Sequence, residues 1–438
     1  MGAGHGHGGD AADLTVGRWS RIVVIALIAV SGVAALLGVW RWWPDQQRVH
    51  HVRGLMPVVA KGVTVVHAEL THVRTACTGS DVDASLACGP SDARLLDGPS
   101  AGAVVGVDLT PDVVGTGLRA GDHVLLLDTA KTGGGQGDDY SFYRDDRGGS
   151  MLWLAVLFAV LVVLVAWRRG LMALVSLAVA GVVVVGYLLP ALLSGRPPVP
   201  VTLAAAVPIL IVMLFATHGL SMRTAVAVVG ALLGLGIGAG FAWFGVIGSR
   251  LAGLGDDSAG LLTFNVPWIS VQQLVVASVI LAGLGTLNDV TITQVSALWE
   301  LRAASPGMTR GELFRSAMRI GRDHVASTVY TLVFAYLGTA LVLLVAVQLY
   351  GGAPADLLTA ENVAEDVVRT LVGGIALVLA MPITTAIGVL VVAEAEATPD
   401  PRPLRRSREV PGPRYARRSA PVVPDPYRQL PDRPWEVD

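Results

Sequence analysis

Long runs of apolar residues recur along this chain, and they constrain its fold more than any other feature. A helix needs about 20 such residues to cross the ~30 Å hydrocarbon layer of a bilayer. We expect about eight spans, at Ile22–Trp40, Leu152–Trp167, Leu171–Pro190, Val201–Thr217, Thr224–Ile247, Val271–Val295, Val325–Leu349 and Val367–Val392. Only 15% of the residues are charged and 53% are hydrophobic, which is typical of membrane proteins. The sequence therefore predicts an α-helical integral membrane protein.

The polar stretches divide the chain into five parts. We expect a disordered N-terminus at 1–21, a signal anchor at 22–41, a β-rich domain at 44–150, a seven-span helical domain at 151–395, and a disordered tail rich in Pro and Arg at 396–438. The first span is long and lacks a small-residue cleavage site before Arg41, so we interpret it as an uncleaved anchor. The sixth boundary stays open, because Val271–Trp299 also fits one long tilted helix.

The stretch at 44–150 has the pattern of a small β domain, for which we expect a barrel-like shape. Short alternating runs flanked by turn residues occur at Val63–Leu70, Ala103–Leu109 and His123–Asp128. Its two cysteines, Cys77 and Cys88, are the only ones in the chain. Outside the cytoplasm they would form one disulfide, and the alternative is two free thiols.

Positive charges predict the orientation of the spans. Basic residues flank the spans in four groups, at Arg168–Arg169, at Arg223, along Arg302–Arg322 and along Arg402–Arg408. With eight spans these groups fall on one side, which should be the cytoplasm. We therefore expect a multi-pass protein of the plasma membrane with both termini cytoplasmic and the β-rich domain outside.

Glycines mark the helix faces that we expect to pack closely. Gly230, Gly234 and Gly238 repeat every four residues in the fifth span, and Gly283 and Gly285 lie in the sixth. Small residues at such spacings let helix backbones approach each other, so these glycines are predicted packing positions. The alternative for the fifth span is a sliding contact in a transporter.

The pair Asn288-Asp289 in the sixth span is the main candidate site, because a carboxylate in a membrane span is costly and usually functional. On a helix, Asp289 shares a face with Thr293, and a protonatable carboxyl beside a hydroxyl suits a proton relay. A second interpretation is that the helix ends near Leu287 and that Asn288 caps the next helix. Asp289 would then be a water-exposed residue of a first turn.

An Arg-rich segment follows, and we expect it to form a cytoplasmic amphipathic helix near 308–323 on the inner leaflet. Thr309 and Glu312 have the spacing of a capping box at its start. Asp323 and His324 then lead into the seventh span and are further candidates for ion or proton coupling, since histidine changes charge near neutral pH. A polar helix boundary explains them equally well.

Several functional classes lack support in the sequence. The chain contains no His-Glu-x-x-His zinc motif, no Gly-x-Ser-x-Gly elbow and no phosphate loop. We therefore expect no catalytic residues, no metal, no cofactor and no nucleic-acid partner. The expected partners are the lipid bilayer and either further copies of the chain or other membrane proteins.

Three sequence blocks carry a resemblance to a known family. They are Gly285–Gln294, Ser296–Arg302 and Glu312–His324, the last of which includes Ala317-Met-Arg-Ile-Gly-Arg-Asp-His324. In these blocks, and over most of Ala60–Val392, the chain resembles the YibE/F-like family of bacterial multi-span membrane proteins. The resemblance implies a multi-pass integral membrane protein and assigns no biochemical role.

The order of anchor, outer β domain and Asn-Asp span is also similar to SecD/SecF-type and resistance-nodulation-division proteins, in which central carboxylates carry protons. The chain departs from that pattern by an extra pair of spans and by the character of its outer domain. The first functional hypothesis is accordingly a transport or export-related protein coupled to protons through Asp289, with Asn288 as its polar partner. The alternative is a non-transporting scaffold or sensor whose outer β domain binds a ligand or a protein.

Overall fold

The structure, a computed structural model, describes residues 16–55, 63–74, 90–129, 140–253, 257–349 and 359–392. The expected disulfide between Cys77 and Cys88, the tail at 396–438 and most of the N-terminus lie outside these residues.

The described residues form five strands and a larger set of helices. The strands are β1 Thr64–His72, β2 Pro90–Leu95, β3 Val104–Asp108, β4 His123–Asp128 and β5 Tyr140–Asp145. The helices are α1 Arg18–Arg41, α2 Gln46–Leu55, α3 Pro111–Gly115, α4 Gly148–Val183, α5 Leu189–Leu193, α6 Pro198–His218, α7 Met222–Gly248, α8 Asp257–Asn265, α9 Val271–Ala304, α10 Arg310–Leu349 and α11 Glu361–Val392. A π-helical turn, Val184–Leu188, joins α4 to α5.

The strands form one antiparallel sheet in the order β3-β2-β1-β4-β5. The sheet curls so that its edge strands β3 and β5 approach each other. Alternate side chains, including Leu70, Leu95 and Leu126, are fully buried in its core. Three strands correspond to the predicted alternating runs. The strands β2 and β5 are not predicted from the sequence, because the segments Pro90–Leu95 and Tyr140–Asp145 lack a clear apolar alternation.

Among the described residues, seven helical segments are long and apolar enough to cross a membrane. They are Arg18–Arg41, Gly148–Leu193, Pro198–His218, Met222–Gly248, Val271–Ala304, Arg310–Ala346 and Glu361–Val392. Their length and composition are those of a multi-pass membrane protein.

The longest of these segments is broken near its middle. Gly148–Leu193 has 46 residues, which as a straight helix would extend ~69 Å. Trp167 has φ 50° and ψ −128°, outside the helical region. A Cβ placed on Gly170 would meet the backbone of Val162, although eight residues of straight helix separate two positions by ~12 Å. The chain therefore folds back on itself at Trp167, next to the predicted boundary at Arg168–Arg169.

The interior of the helical domain is built around α7, α9 and α11. More than half of the most apolar stretch of each is buried, and α6 packs against the same group. The helix α1 packs along α6, and no residue in the most apolar stretch of α4 is buried. The central helices thus position the candidate site, and α4 lies at the periphery.

The region after α9 differs from the expectation of a separate amphipathic helix near 308–323. The helix α10 runs without interruption from Arg310 to Leu349 and joins that segment to the predicted seventh span. The predicted capping box is present, since Glu312 Oε2 accepts hydrogen bonds from Thr309 N at 2.9 Å and from Thr309 Oγ1 at 2.8 Å. No proline separates the two parts, so the helix continues through them.

Candidate functional site

Asn288 and Asp289 lie inside a continuous helix. The helix α9 extends from Val271 to Ala304, capped by Ser270 Oγ, which accepts a hydrogen bond from Gln273 N. The interpretation in which the helix ends near Leu287 is therefore wrong. Thr291 Oγ1 donates to Leu287 O at 2.8 Å within the helix, so the hydroxyl is satisfied without breaking the backbone ladder.

The structure brings Asp289 and His324 together from two helices. Asp289 Oδ2 of α9 lies 3.4 Å from His324 Nε2 of α10, an ion-pair distance when the imidazole is protonated. Thr293 Oγ1 lies 3.5 Å from Asp289 Oδ1 on the same helix. The side chain of Asp289 is 59% exposed and that of His324 is 29% exposed. We call Asp289 and His324 the exchange pair.

Two polar atoms at this site lack hydrogen bonds to the described residues. They are Asn288 Oδ1 and His324 Nε2, both shielded from solvent. The imidazole nitrogen is within ion-pair distance of Asp289, but the angles are not those of a hydrogen bond. At the exchange pair, His324 Nε2 is therefore able to donate or accept a hydrogen bond that no described residue makes with it.

The remaining coupling candidate lies apart from the exchange pair. Asp323 precedes His324, but its side chain is exposed and has no hydrogen-bond or ion-pair partner within the described part of the chain. Adjacent residues of a helix point about 100° apart, so proximity in sequence does not place both side chains at one site.

Gln294 is a buried polar residue of α9, and the sequence alone does not predict its partners. Its side chain is 3% exposed, and Nε2 donates to Ala317 O of α10 at 3.0 Å and to Thr385 Oγ1 of α11 at 2.8 Å. A glutamine within an apolar span is a signal that can be seen in the sequence. Its hydrogen-bond partners cannot be predicted in the same way, because they are distant in sequence.

The glycines of α7 lie against a matching row of small residues on α11. A Cβ added to Gly230 would collide with Thr384, one on Gly234 would lie 3.0 Å from Ala380 Cβ, and one on Gly238 would lie 3.1 Å from Ala376 Cβ. Successive glycines along α7 contact residues of decreasing number on α11, so the two helices are antiparallel. Backbones approach closely along this line.

Gly283 and Gly285 of α9 have different surroundings. A Cβ on either would meet open space. Gly283 borders a small cavity together with Leu235, Ile280, Leu287, Val372 and Gly373, and its lining is apolar. Gly285 is exposed beside Asp289. Neither is a point of close helix contact in this structure.

Charged residues lie at both ends of the central helices. Toward the end of α9, Glu300 Oε1 is 3.9 Å from Arg223 Nη1 of α7, and His218 is within electrostatic range of Arg223 and Asp289. At the opposite end, Arg369 of α11 pairs with Asp366 at 2.5 Å and donates to Ser278 Oγ of α9 at 3.3 Å. The apolar cavity lies between this second cluster and the exchange pair.

Within the described ranges, no group of three or more His, Cys, Asp and Glu side chains is arranged to hold a metal ion. The site combines the carboxylate and the imidazole of the exchange pair with the hydroxyl of Thr293, and the first two are groups that accept and release protons.

Comparison with known proteins gives one match. A family model described as YibE/F-like protein matches residues 154–394, more than half of the 438-residue chain. No curated protein and no solved structure matches.

Proposed function

The chain belongs to the YibE/F-like protein family, and on that premise we propose that it is a proton-coupled membrane transport protein in which Asp289 and His324 exchange the proton. The matched region contains α6, α7, α9, α10 and α11, and hence every residue of the exchange pair and its surroundings. The multi-pass membrane character follows from the family and from the apolar helices, whereas the transport role is the proposal.

The proposed arrangement has eight spans in the plasma membrane. A 46-residue apolar segment is more than twice as long as a bilayer is thick, and its reversal at Trp167 supports two spans there. The basic groups at Arg168–Arg169, Arg223 and Arg302–Arg322 then share the cytoplasmic side with both termini, and the β sheet lies outside.

The observation that carries the proposal is where the exchange pair lies along its two helices. On α10 the exposed arginines end at Arg322, and a mainly apolar section begins at Val325. On α9 the apolar section that starts at Val271 ends at Leu287, and polar residues follow. Asp289 and His324 therefore meet where the polar part of both helices ends, a location that protons from the cytoplasm reach without crossing the apolar section.

The contact between the two groups supplies a mechanism for coupling. With Asp289 ionised and His324 protonated, the two side chains attract each other across 3.4 Å. When one proton leaves the imidazole or one more is bound by the carboxylate, that attraction is lost. Protonation then changes the free energy of holding α9 against α10, which is the requirement for a proton-driven conformational change.

Proton movement into proteoliposomes, followed with an enclosed pH-sensitive dye, tests the proposal. Asp289→Asn keeps the shape of the side chain and removes its proton exchange, so we expect the rate to fall by at least about 10-fold. Glu300→Gln is the matched control, because it removes another exposed carboxylate of α9, and we expect little change. An Asp289→Asn protein that is folded and moves protons at the wild-type rate would refute the proposal.

The alternative, a sensor that binds a ligand through its sheet, has one structural observation in its favour. Only Asp146 and Arg147 separate β5 from α4, and Asp146 N donates to His123 O of β4 at 3.0 Å. A movement of the sheet is thus directly connected to α4. Inserting a flexible Gly-Ser segment after Asp146 discriminates the two: a transporter should keep its proton movement, whereas a non-transporting sensor should move no protons with or without the insertion.

A further inference from the structure

Gln294 forms a polar contact that joins three helices beside the exchange pair. Both hydrogens of its amide are used, one on Ala317 O of α10 and one on Thr385 Oγ1 of α11. Thr385 Oγ1 donates in turn to Met381 O at 2.8 Å. Removing one partner of such a buried group leaves others unsatisfied, which makes the contact specific in its geometry.

The same point on α10 requires a glycine. A Cβ on Gly321 would lie 2.6 Å from Gln294 Oε1 and 2.5 Å from Met381 Sδ, both closer than real Cβ contacts. The α10 backbone therefore rests directly on Gln294 and Met381. A larger residue at position 321 therefore requires a shift of the Gln294 and Met381 side chains, which changes the Gln294 hydrogen bonds, or of α10 itself.

This contact is adjacent to the exchange pair on both helices. Gln294 is ~7.5 Å along α9 from Asp289, and Gly321 is ~4.5 Å along α10 from His324. Beyond His324, only 11% of the most apolar stretch of α10 is buried, although Val325 and Val329 pack against Val290, Leu377 and Met381. The contact at Gln294 and Gly321 thus adds buried hydrogen bonds to the apolar packing that fixes His324 relative to Asp289.

We infer that Gln294 and Gly321 are positioning residues, which hold α10 at the distance from α9 that places His324 next to Asp289. The inference deepens the proposed function and rests on it for its role in proton exchange. Neither residue contacts the reacting atoms. Their effect is on the strength of the Asp289–His324 interaction across 3.4 Å, and hence on the proposed coupling between α9 and α10.

The first experiment measures proton movement in proteoliposomes as a function of pH for Gly321→Ala and Gln294→Leu. Both variants should lower the rate of proton movement severalfold and change its pH profile in the same way, because both weaken the same Asp289–His324 interaction. Gly311→Ala is the matched control, because it makes the same substitution in α10 at a site where a Cβ meets open space. If Gln294→Leu fails to fold, Gly321→Ala carries the test alone, since it removes no hydrogen bond.

The second experiment measures the positioning without any proton movement. In a chain with Cys77→Ser and Cys88→Ser, the substitutions Asp289→Cys and His324→Cys are joined in the membrane by a short bifunctional thiol reagent. A protease site in the turn 305–309 separates α9 from α10 unless they are cross-linked. Adding Gly321→Ala or Gln294→Leu should reduce the cross-linked product severalfold, and adding Gly311→Ala should not.

The outcomes separate the two proposals. If Asp289→Asn leaves proton movement unchanged, the proposed function fails, and the cross-linking still decides whether Gln294 and Gly321 position His324. If Gly321→Ala and Gln294→Leu lower thermal stability but leave both the pH profile and the cross-linking at the level of Gly311→Ala, the contact is merely structural and the inference is overturned.

Discussion

The central helices α7, α9 and α11 and the peripheral helix α4 are all strongly apolar, yet they occupy opposite environments. More than half of the most apolar stretch of each central helix is buried, and none of that stretch of α4 is. The exposed surface of α4 carries large side chains such as Phe158, Leu164 and Trp167, whereas no exposed large hydrophobic residue in the described part of the chain belongs to α9.

The comparison shows that the apolar character of a helix does not determine whether it is buried in a membrane protein. Lipid tails solvate leucine as well as a protein interior does, so hydrophobicity provides no drive to bring helices together. Close packing of small residues and hydrogen bonds between helices provide it instead. Gly230 against Thr384 and the hydrogen bonds of Gln294 to Ala317 and Thr385 are two contacts of this kind made by the central helices.

The largest expected effect contrasts one leucine from each region. Leu377 of α11 is 0% exposed and Leu164 of α4 is 67% exposed. Leu377→Ala leaves a cavity and should lower the free energy of unfolding by about 2 kcal/mol or more. Leu164→Ala should change it by less than about 0.5 kcal/mol. Thermal unfolding of the purified protein in detergent measures both, and equal losses would remove the distinction between the two regions.

The next effect tests close helix approach. Gly230→Ala introduces a Cβ into Thr384 and should destabilise the protein by about 1–3 kcal/mol through overpacking. Gly236→Ala lies on the same helix, where a Cβ meets open space, and should be neutral or slightly stabilising. The same unfolding assay compares the two variants. A stable Gly230→Ala protein would mean that α7 and α11 are not held by their small residues.

A smaller effect concerns the start of α7. Ser221 Oγ accepts a hydrogen bond from Thr224 N at 3.2 Å and caps the helix. Ser221→Ala should cost about 1 kcal/mol, because one amide of the first turn loses its partner. Ser249→Ala, at the other end of α7, is the control, and its side chain makes no capping bond. Hydrogen exchange of the first-turn amides should rise only in Ser221→Ala.

The smallest effect lies in the sheet, outside the helical domain. Asp97 Oδ2 is 2.6 Å from His67 Nδ1, and Oδ1 accepts a hydrogen bond from His67 N at 2.7 Å. These bonds, the side-chain bond foremost, lower the pKa of Asp97 below its ordinary 3.8. Because the pKa of Asp97 is lower in the folded protein, the ionised carboxylate stabilises the sheet at pH values above the ordinary pKa. This stabilisation is lost as the pH falls through the pKa of the folded protein.

Hydrogen exchange of the His67 amide measures this pH dependence. Protection should be constant above about pH 5 and should weaken as the pH falls below the ordinary carboxyl range. Asp97→Asn should abolish the pH dependence. The bundle amides around Leu377 should show no matching change, and a shared acid transition would mean that the sheet and the helices unfold together.

Particular residues show which features of the candidate site can be predicted from the sequence. The sequence singles out Asp289 and His324 as candidates, because a charged residue in a span is costly and a histidine changes charge near neutral pH. That they touch was not predictable, since they belong to different helices. The same limit applies to Gln294, whose partners lie on α10 and α11. The expected separation of the amphipathic segment from the next span is also absent, since α10 includes both. A helix end is only weakly encoded in a sequence that has no proline or capping residue there.

The membrane class, the strands with clear alternation and the approximate limits of the apolar helices can all be predicted from the sequence. These features are local, because span length, periodicity and turn residues are read from neighbouring positions. The tertiary structure was needed to show which apolar helices are central, that α9 continues past Asp289, and that His324 faces Asp289. Those outcomes depend on the fit of small residues and on hydrogen bonds between helices distant in sequence, which composition does not encode.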